Sequence, residues 1–137
     1  MQDVEKLRDW ICAFPQWGSA KPELDQLGVA PDSAGLYYQG LEVLEHQEDV
    51  QGNVRQRRRH SFSLRRIFLT RQGGACWMEA FSRWVLEQSR LGLTPVFHGA
   101  AGPCRVTAAN ARADWQKQLG TTVYTVKLDA EFDSYAA

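Results

Sequence analysis

The chain has 137 residues, 44% of them apolar and 11% aromatic with five Trp, a composition that excludes a disordered tail and matches one ordered globular unit. Sixteen Lys and Arg balance sixteen Asp and Glu, so whole-molecule attraction to nucleic acid or to an anionic membrane is excluded as a driving force. No apolar stretch approaches the roughly 18 residues of a membrane span, and Met1-Gln2-Asp3-Val4-Glu5 lacks the basic start and apolar run of a secretory signal.

The first segment, Asp3 to Phe14, spaces Val4, Leu7, Ile11 and Phe14 three and four apart, which predicts a helix with one apolar stripe and Asp3 as its N-cap. Pro15 and Gly18 end it. A short extended piece is expected over Leu24 to Val29, then a turn through Pro31, Asp32 and Gly35. Gly35 to Gln47 reads as a strand with Gly40 marking a bulge or bend. The polar stretch around Gly52 and Asn53 turns the chain back into a longer strand, Val54 to Thr70. That strand carries Phe62, Leu64 and Phe68 on one side, Ile67 and Leu69 on the other, with its far half buried on both faces.

Gly73-Gly74 reads as the separator before a helix over Ala75 to Leu91, where Trp77, Phe81, Trp84, Val85 and Gln88 recur at helical spacing. Gly92 closes it. Two more strands are expected, Cys104 to Ala111 and Thr121 to Phe132, joined by a polar connection containing Trp115 and Gly120. In the last strand Tyr124, Val126, Leu128, Ala130 and Phe132 alternate with polar residues, which predicts a sheet with one wet face. The connections are too short for repeated βαβ crossovers. The expected fold is therefore α+β in a single domain over residues 1–137: a mostly antiparallel sheet of four to five strands with two main helices packed on one side.

A search for chemistry finds little. Cys12, Cys76 and Cys104 are odd in number and widely spaced, which suits buried reduced thiols. Cys76 at a helix start could in principle be activated, with His46, His60 or His98 as partner, but no catalytic signature surrounds it. There is no C-x-x-C, H-x-x-x-H or H-E-x-x-H spacing for a metal, and Gly73-Gly74 is neither of the glycine-rich phosphate motifs. No catalytic residue, cofactor or metal is assigned, and the chain is not expected to be an enzyme.

One feature asks for a partner. Seven of the twelve arginines lie between Arg55 and Arg71, a segment without Asp or Glu, while Glu42, Glu45, Glu48 and Asp49 sit just upstream. Arg55, Arg57, Arg58, Arg59, Arg65 and Arg66 are the candidate interface residues. Being on or beside a strand they divide between its two faces. One set can pair with acidic residues across the strands, and another can meet a protein partner or nucleic acid.

The order of segments resembles the tail terminator, or tail-completion, proteins of long-tailed bacteriophages and prophages, sometimes labelled minor capsid proteins. The likeness runs through Trp10-Ile11-Cys12-Ala13-Phe14-Pro15, Leu24-Asp25-Gln26-Leu27 and Gly35-Leu36-Tyr37. It continues in His60-Ser61-Phe62-Ser63-Leu64, the helix with Phe81, Trp84, Val85 and Gln88, the Thr94-Pro95 exit and Tyr124-Thr125-Val126-Lys127-Leu128. It implies self-association into a ring, commonly of six copies, that caps the tail tube and joins it to the head. It also implies tail-tube and head-connector partners, and assembly in the bacterial cytoplasm before residence in the virion tail. No catalytic residue transfers from such a family. A small nucleic-acid-binding or regulatory module using the Arg-rich strand is the alternative expectation.

Overall fold

The computed structural model describes residues 2–18, 21–116 and 120–136. Helix α1 spans Asp3–Ile11 and helix α2 Arg71–Leu91. The strands are β1 (Glu23–Leu24), β2 (Ala34–Glu48), β3 (Val54–Phe68), β4 (Arg105–Gln116) and β5 (Thr121–Ala136). They form one five-stranded sheet in the order β1-β2-β3-β5-β4. Every pairing is antiparallel except β1 with β2, which is parallel at two positions. The fold is α+β with a mostly antiparallel sheet, and β3 lies at its centre.

The alternation expected of β5 is present. Tyr124, Val126, Leu128, Ala130 and Phe132 are buried, while Lys127 is exposed and Asp129, Glu131 and Asp133 are half-buried. The β3 residues that pair with them in register, Phe62 with Leu128 and Leu64 with Val126, are fully buried too. Leu7 and Ile11 of α1, and Trp77, Met78, Phe81 and Val85 of α2, enter the same core. Each such side chain, wholly removed from water, contributes about 1.5–3 kcal/mol. Aromatic contacts tie the helices together: Trp10 of α1 lies 4.9 Å from Trp84 of α2, ring centre to ring centre, and Phe14 meets Trp77, Phe81 and Trp84.

Several boundaries differ from expectation, each for a local reason. Helix α1 stops at Ile11, and 3-residue turns from Ile11 and Phe14 carry Phe14 and Trp17 into the core. Asp3 is not the N-cap: Gln2 occupies that position without a side-chain cap, because the Asp3 carboxylate is engaged elsewhere. The piece expected over 24–29 shrinks to two residues, since Asp25 turns the chain at φ 58°. Gly73 and Gly74 do not separate strand from helix. Thr70 caps α2, its hydroxyl oxygen accepting from the Gly73 backbone N–H at 3.0 Å, and both glycines lie in the first turn. A Cβ on Gly74 would fall 2.4 Å from the Tyr124 ring and 2.9 Å from Phe68, so the missing side chain lets α2 approach the sheet.

Strand β4 runs past its expected end at Ala111 to Gln116. A register shift between Ala109 and Arg112 absorbs the irregularity, with Asn110 at φ 57° in the left-handed region that Asn tolerates. Trp115 thus belongs to the strand, opposite Thr122, while residues 117–119 of the expected connection lie outside the described residues. The bulge expected at Gly40 is present as a shift between Tyr38 and Gly40, at φ 124°. Leu69 is exposed and Arg65 too, so the far half of β3 is buried on the helix side and, on the other face, at Ser63 and Ile67. Gly92, at φ 72°, closes α2. No helix among the described residues is long and apolar enough to cross a membrane.

Candidate functional site

Because β3 pairs with β5 without a shift, its odd and even residues point to opposite faces along its whole length. Arg55, Arg57, Arg59 and Arg65 share the open face with Ser61 and Ser63. Arg58 and Arg66 share the helix side with His60, Phe62 and Leu64.

On the open face the sequence dipole becomes a neutral ladder. Arg57 stands between Glu45 of β2, at 3.6 Å, and Asp133 of β5, at 3.8 Å. Arg55 reaches Asp133 at 4.0 Å and lies over the Tyr135 ring at 5.7 Å. Arg59 donates to Glu42 at 2.5 Å, and that hydrogen bond holds its guanidinium above the usual arginine pKa. The acidic run upstream and the arginine run downstream are thus halves of one hairpin, and the antiparallel register sets opposite charges side by side. Beyond the ladder, Arg65 rests on the Tyr37 ring at 4.9 Å.

The helix-side arginines behave differently. Arg58 donates from Nε to Gln56 Oε1 at 2.8 Å. Arg66 is buried against Trp17 and Trp77, 7% exposed, apart from the other five. The six candidates therefore form three groups rather than one patch: a ladder of Arg55, Arg57 and Arg59, the surface residues Arg58 and Arg65, and the enclosed Arg66.

Past the ladder the sheet outruns its helices. Leu41 and Val43 face the helix side, opposite His60 and Arg58, yet they are 47% and 48% exposed. Val50, at the tip of the turn joining β2 to β3, is fully exposed. Asp49 rigidifies that tip, accepting from the Gln51 and Asn53 backbone N–H groups and from Asn53 Nδ2, each at 2.9 Å. The Asn53 side-chain bond leads in lowering the Asp49 pKa. A groove of about 810 Å³ lies at this end, with Gln47, Asp49, Val54, Arg55 and Tyr135 among its walls. Among the described residues the outer edge of β2 is paired only at Gly35 and Leu36. Asp25 follows that pairing, donating its backbone N–H to the Leu36 carbonyl at 2.9 Å and accepting from the Tyr38 backbone N–H at 3.4 Å, and among the described residues no strand pairs with this edge beyond it.

One polar cluster had no signal in the sequence. Asp3 Oδ2 lies 2.9 Å from His60 Nε2, and Tyr38 Oη lies 2.9 Å from His60 Nδ1. The imidazole thus bridges the Asp3 carboxylate and the Tyr38 hydroxyl through its two ring nitrogens. Asp3 Oδ1 also accepts from the His98 backbone N–H at 2.9 Å. The His60 ring stacks on Phe132 and meets Phe97 edge-on. This chain of contacts fastens α1 and the loop at 97–98 to the centre of β3, and its members are too far apart in sequence to form a motif.

The thiols are dispersed. Cys104 is buried and its pKa is pushed up to about 11 by desolvation, Cys12 is half-buried with its pKa raised chiefly by burial, and Cys76 is exposed. Among the described residues no group of three or more His, Cys, Asp or Glu is placed to hold a metal ion. No protein-family model matches the chain, and no match to it was found among curated proteins.

Proposed function

We propose that the chain is a virion-assembly protein, a tail terminator of a long-tailed phage or prophage. It forms a ring, six-membered on the family resemblance, at the end of the tail tube and joins that tube to the head connector. The observation that carries this reading is the projecting β2–β3 end of the sheet. Its apolar Leu41 and Val43 are half uncovered, its turn is stiffened by Asp49, and among the described residues the outer edge of β2 has no strand partner beyond Leu36. A helix-backed core holding a stiff, partly apolar projection suits docking between copies, since such exposed groups gain by burial in an interface. The self-neutralised arginine ladder suits the polar part of such a contact, where charge fixes register more than affinity.

In this reading the protein has no catalytic step, and it acts in the bacterial cytoplasm during assembly and afterwards in the virion tail. Co-sedimentation with polymerised tail-tube protein tests it. Wild-type protein is expected to pellet with tubes and halt their growth. A Leu41→Asp, Val43→Asp double variant is expected to lose ring formation while keeping its thermal midpoint. Protein that leaves tube growth unchanged refutes the terminator role.

The alternative, a nucleic-acid-binding module, uses the same arginines. It requires binding to DNA or RNA that weakens steeply with salt, and binding without a salt slope dismisses it. Arg55, Arg57 and Arg59 already face Glu42, Glu45 and Asp133, which lowers the net positive potential a phosphate backbone would meet on that face.

A further inference from the structure

Arg66 is the one arginine of the strand enclosed by the core, its side chain only 8% exposed. Its guanidinium rests in the corner made by two indoles, with Cζ 4.9 Å from the Trp17 ring centre and 4.7 Å from that of Trp77. Phe68 is a third ring at 5.8 Å. Burial depresses its pKa, opposed by nearby Asp32.

Aromatic faces stabilise a cation without satisfying its N–H groups. Nε is buried without a hydrogen-bond partner. The nearest carboxylate oxygen, Asp32 Oδ1, stands 3.9 Å from Nη2, beyond hydrogen-bonding distance. Asp32 itself is largely exposed, on a turn outside the core. Leaving a buried guanidinium N–H such as this Nε without an acceptor is costly.

The guanidinium lines a surface cavity of about 310 Å³ that Gln16, Thr70 and Gly73 also border. Thr70 and Gly73 belong to the N-terminal end of α2, a helix of 21 residues whose first turn contains no acidic residue. No acidic side chain of that turn offsets its positive end, and Asp32 is the carboxylate that borders the cavity. The guanidinium, whose ion pair with exposed Asp32 is long at 3.9 Å, and the helix terminus converge on one space, and both favour an oxyanion there.

We propose that this cavity binds a single carboxylate group, received by the Nη edge of Arg66 at the N-terminus of α2. A carboxylate matches the planar fork of a guanidinium with two parallel bonds. Asp32 at the rim already offsets part of the local positive charge, which favours a monoanion over a doubly charged phosphate. The group can arrive on a small acid or on the Glu or Asp side chain of a protein partner. The site is independent of the terminator reading and stands or falls separately.

Nuclear magnetic resonance of the indole N–H signals of Trp17 and Trp77 provides the test, with sodium acetate as the free acid and N-acetylglutamic acid amide as the side-chain mimic. Sodium chloride at matched ionic strength and inorganic phosphate are the comparisons. The expected result is a saturable shift of those two signals with carboxylate, absent with chloride and weaker with phosphate. Tighter binding of the glutamate mimic than of acetate assigns a protein-borne group, and the reverse assigns a small acid. Asp32→Asn, at an exposed position, is expected to tighten binding about threefold or more by removing the competing charge. Arg66→Lys, which keeps the charge and loses the fork, is expected to abolish saturation. Shifts that chloride reproduces, phosphate binding tighter than acetate, or an affinity unchanged in Asp32→Asn would each overturn the proposal, the last even if the Arg66 variant fails to fold.

Discussion

At the scale of single residues, Asp3 illustrates how one side chain can replace the role its position suggests. Its carboxylate receives the His60 ring and the His98 backbone N–H, so it joins α1, β3 and the loop after α2. Asp3→Ala removes an acceptor from two groups near the core, and such unpaired groups cost roughly 1–3 kcal/mol each. A lower denaturation midpoint by urea is expected, with Asp3→Asn less affected. A second expectation concerns Cys104. Its folded pKa lies near 11 against an ordinary 9.0, because burial disfavours the thiolate. The folded state thus binds that proton more tightly than the unfolded chain. This contribution is complete below pH 9.0 and is lost as pH climbs toward about 11. Stability of the wild type should fall across that window more than stability of Cys104→Ala, measured by urea titration at each pH. Thiol labelling of the native protein should reach exposed Cys76 first and Cys104 only on unfolding.

At the scale of elements, the contact between α2 and the sheet is the most sensitive joint. Gly74→Ala would ordinarily favour a helix by about 1 kcal/mol. Here the added Cβ meets the Tyr124 ring at 2.4 Å, so destabilisation of about 1–3 kcal/mol is expected instead. A thermal midpoint at or above wild type would contradict the close approach. Removing the ring that α2 buries most completely, by Phe81→Ala, should cost about 3–5 kcal/mol. Much of this layer was legible in the sequence. The periodicities of β5, from Thr121, and of α2 came through because one face of each is buried, and burial imposes a regular pattern on the residues that face it. Gly40 and Gly92 carried their own backbone signals. The errors fell where a tertiary contact outranks the local rule. Gly73-Gly74 reads as a break only until Thr70 caps the helix and Tyr124 demands the missing Cβ. Asn110 concealed the bulge that lets β4 continue.

At the scale of the whole molecule, the arginine-rich strand shows what linear charge can and cannot reveal. The division of arginines between two faces follows from strand geometry, and the pairing of Arg57 and Arg59 with Glu45 and Glu42 follows from the hairpin. The contribution of Asp133 depends on a strand nearly eighty residues away, and the enclosure of Arg66 depends on Trp17 and Trp77, so neither was readable from spacing. What the pairing leaves uncovered is the projecting end of the sheet, with Leu41, Val43 and Val50 outside the core. On the proposed reading that end is where copies meet. Sedimentation velocity over a roughly hundredfold range of protein concentration tests this most directly. The account predicts a closed ring that dissociates on dilution, and a Leu41→Asp, Val43→Asp variant that stays monomeric with an unaltered fold. A wild-type chain that sediments as a monomer at every concentration, or a variant that assembles as the wild type does, would contradict it.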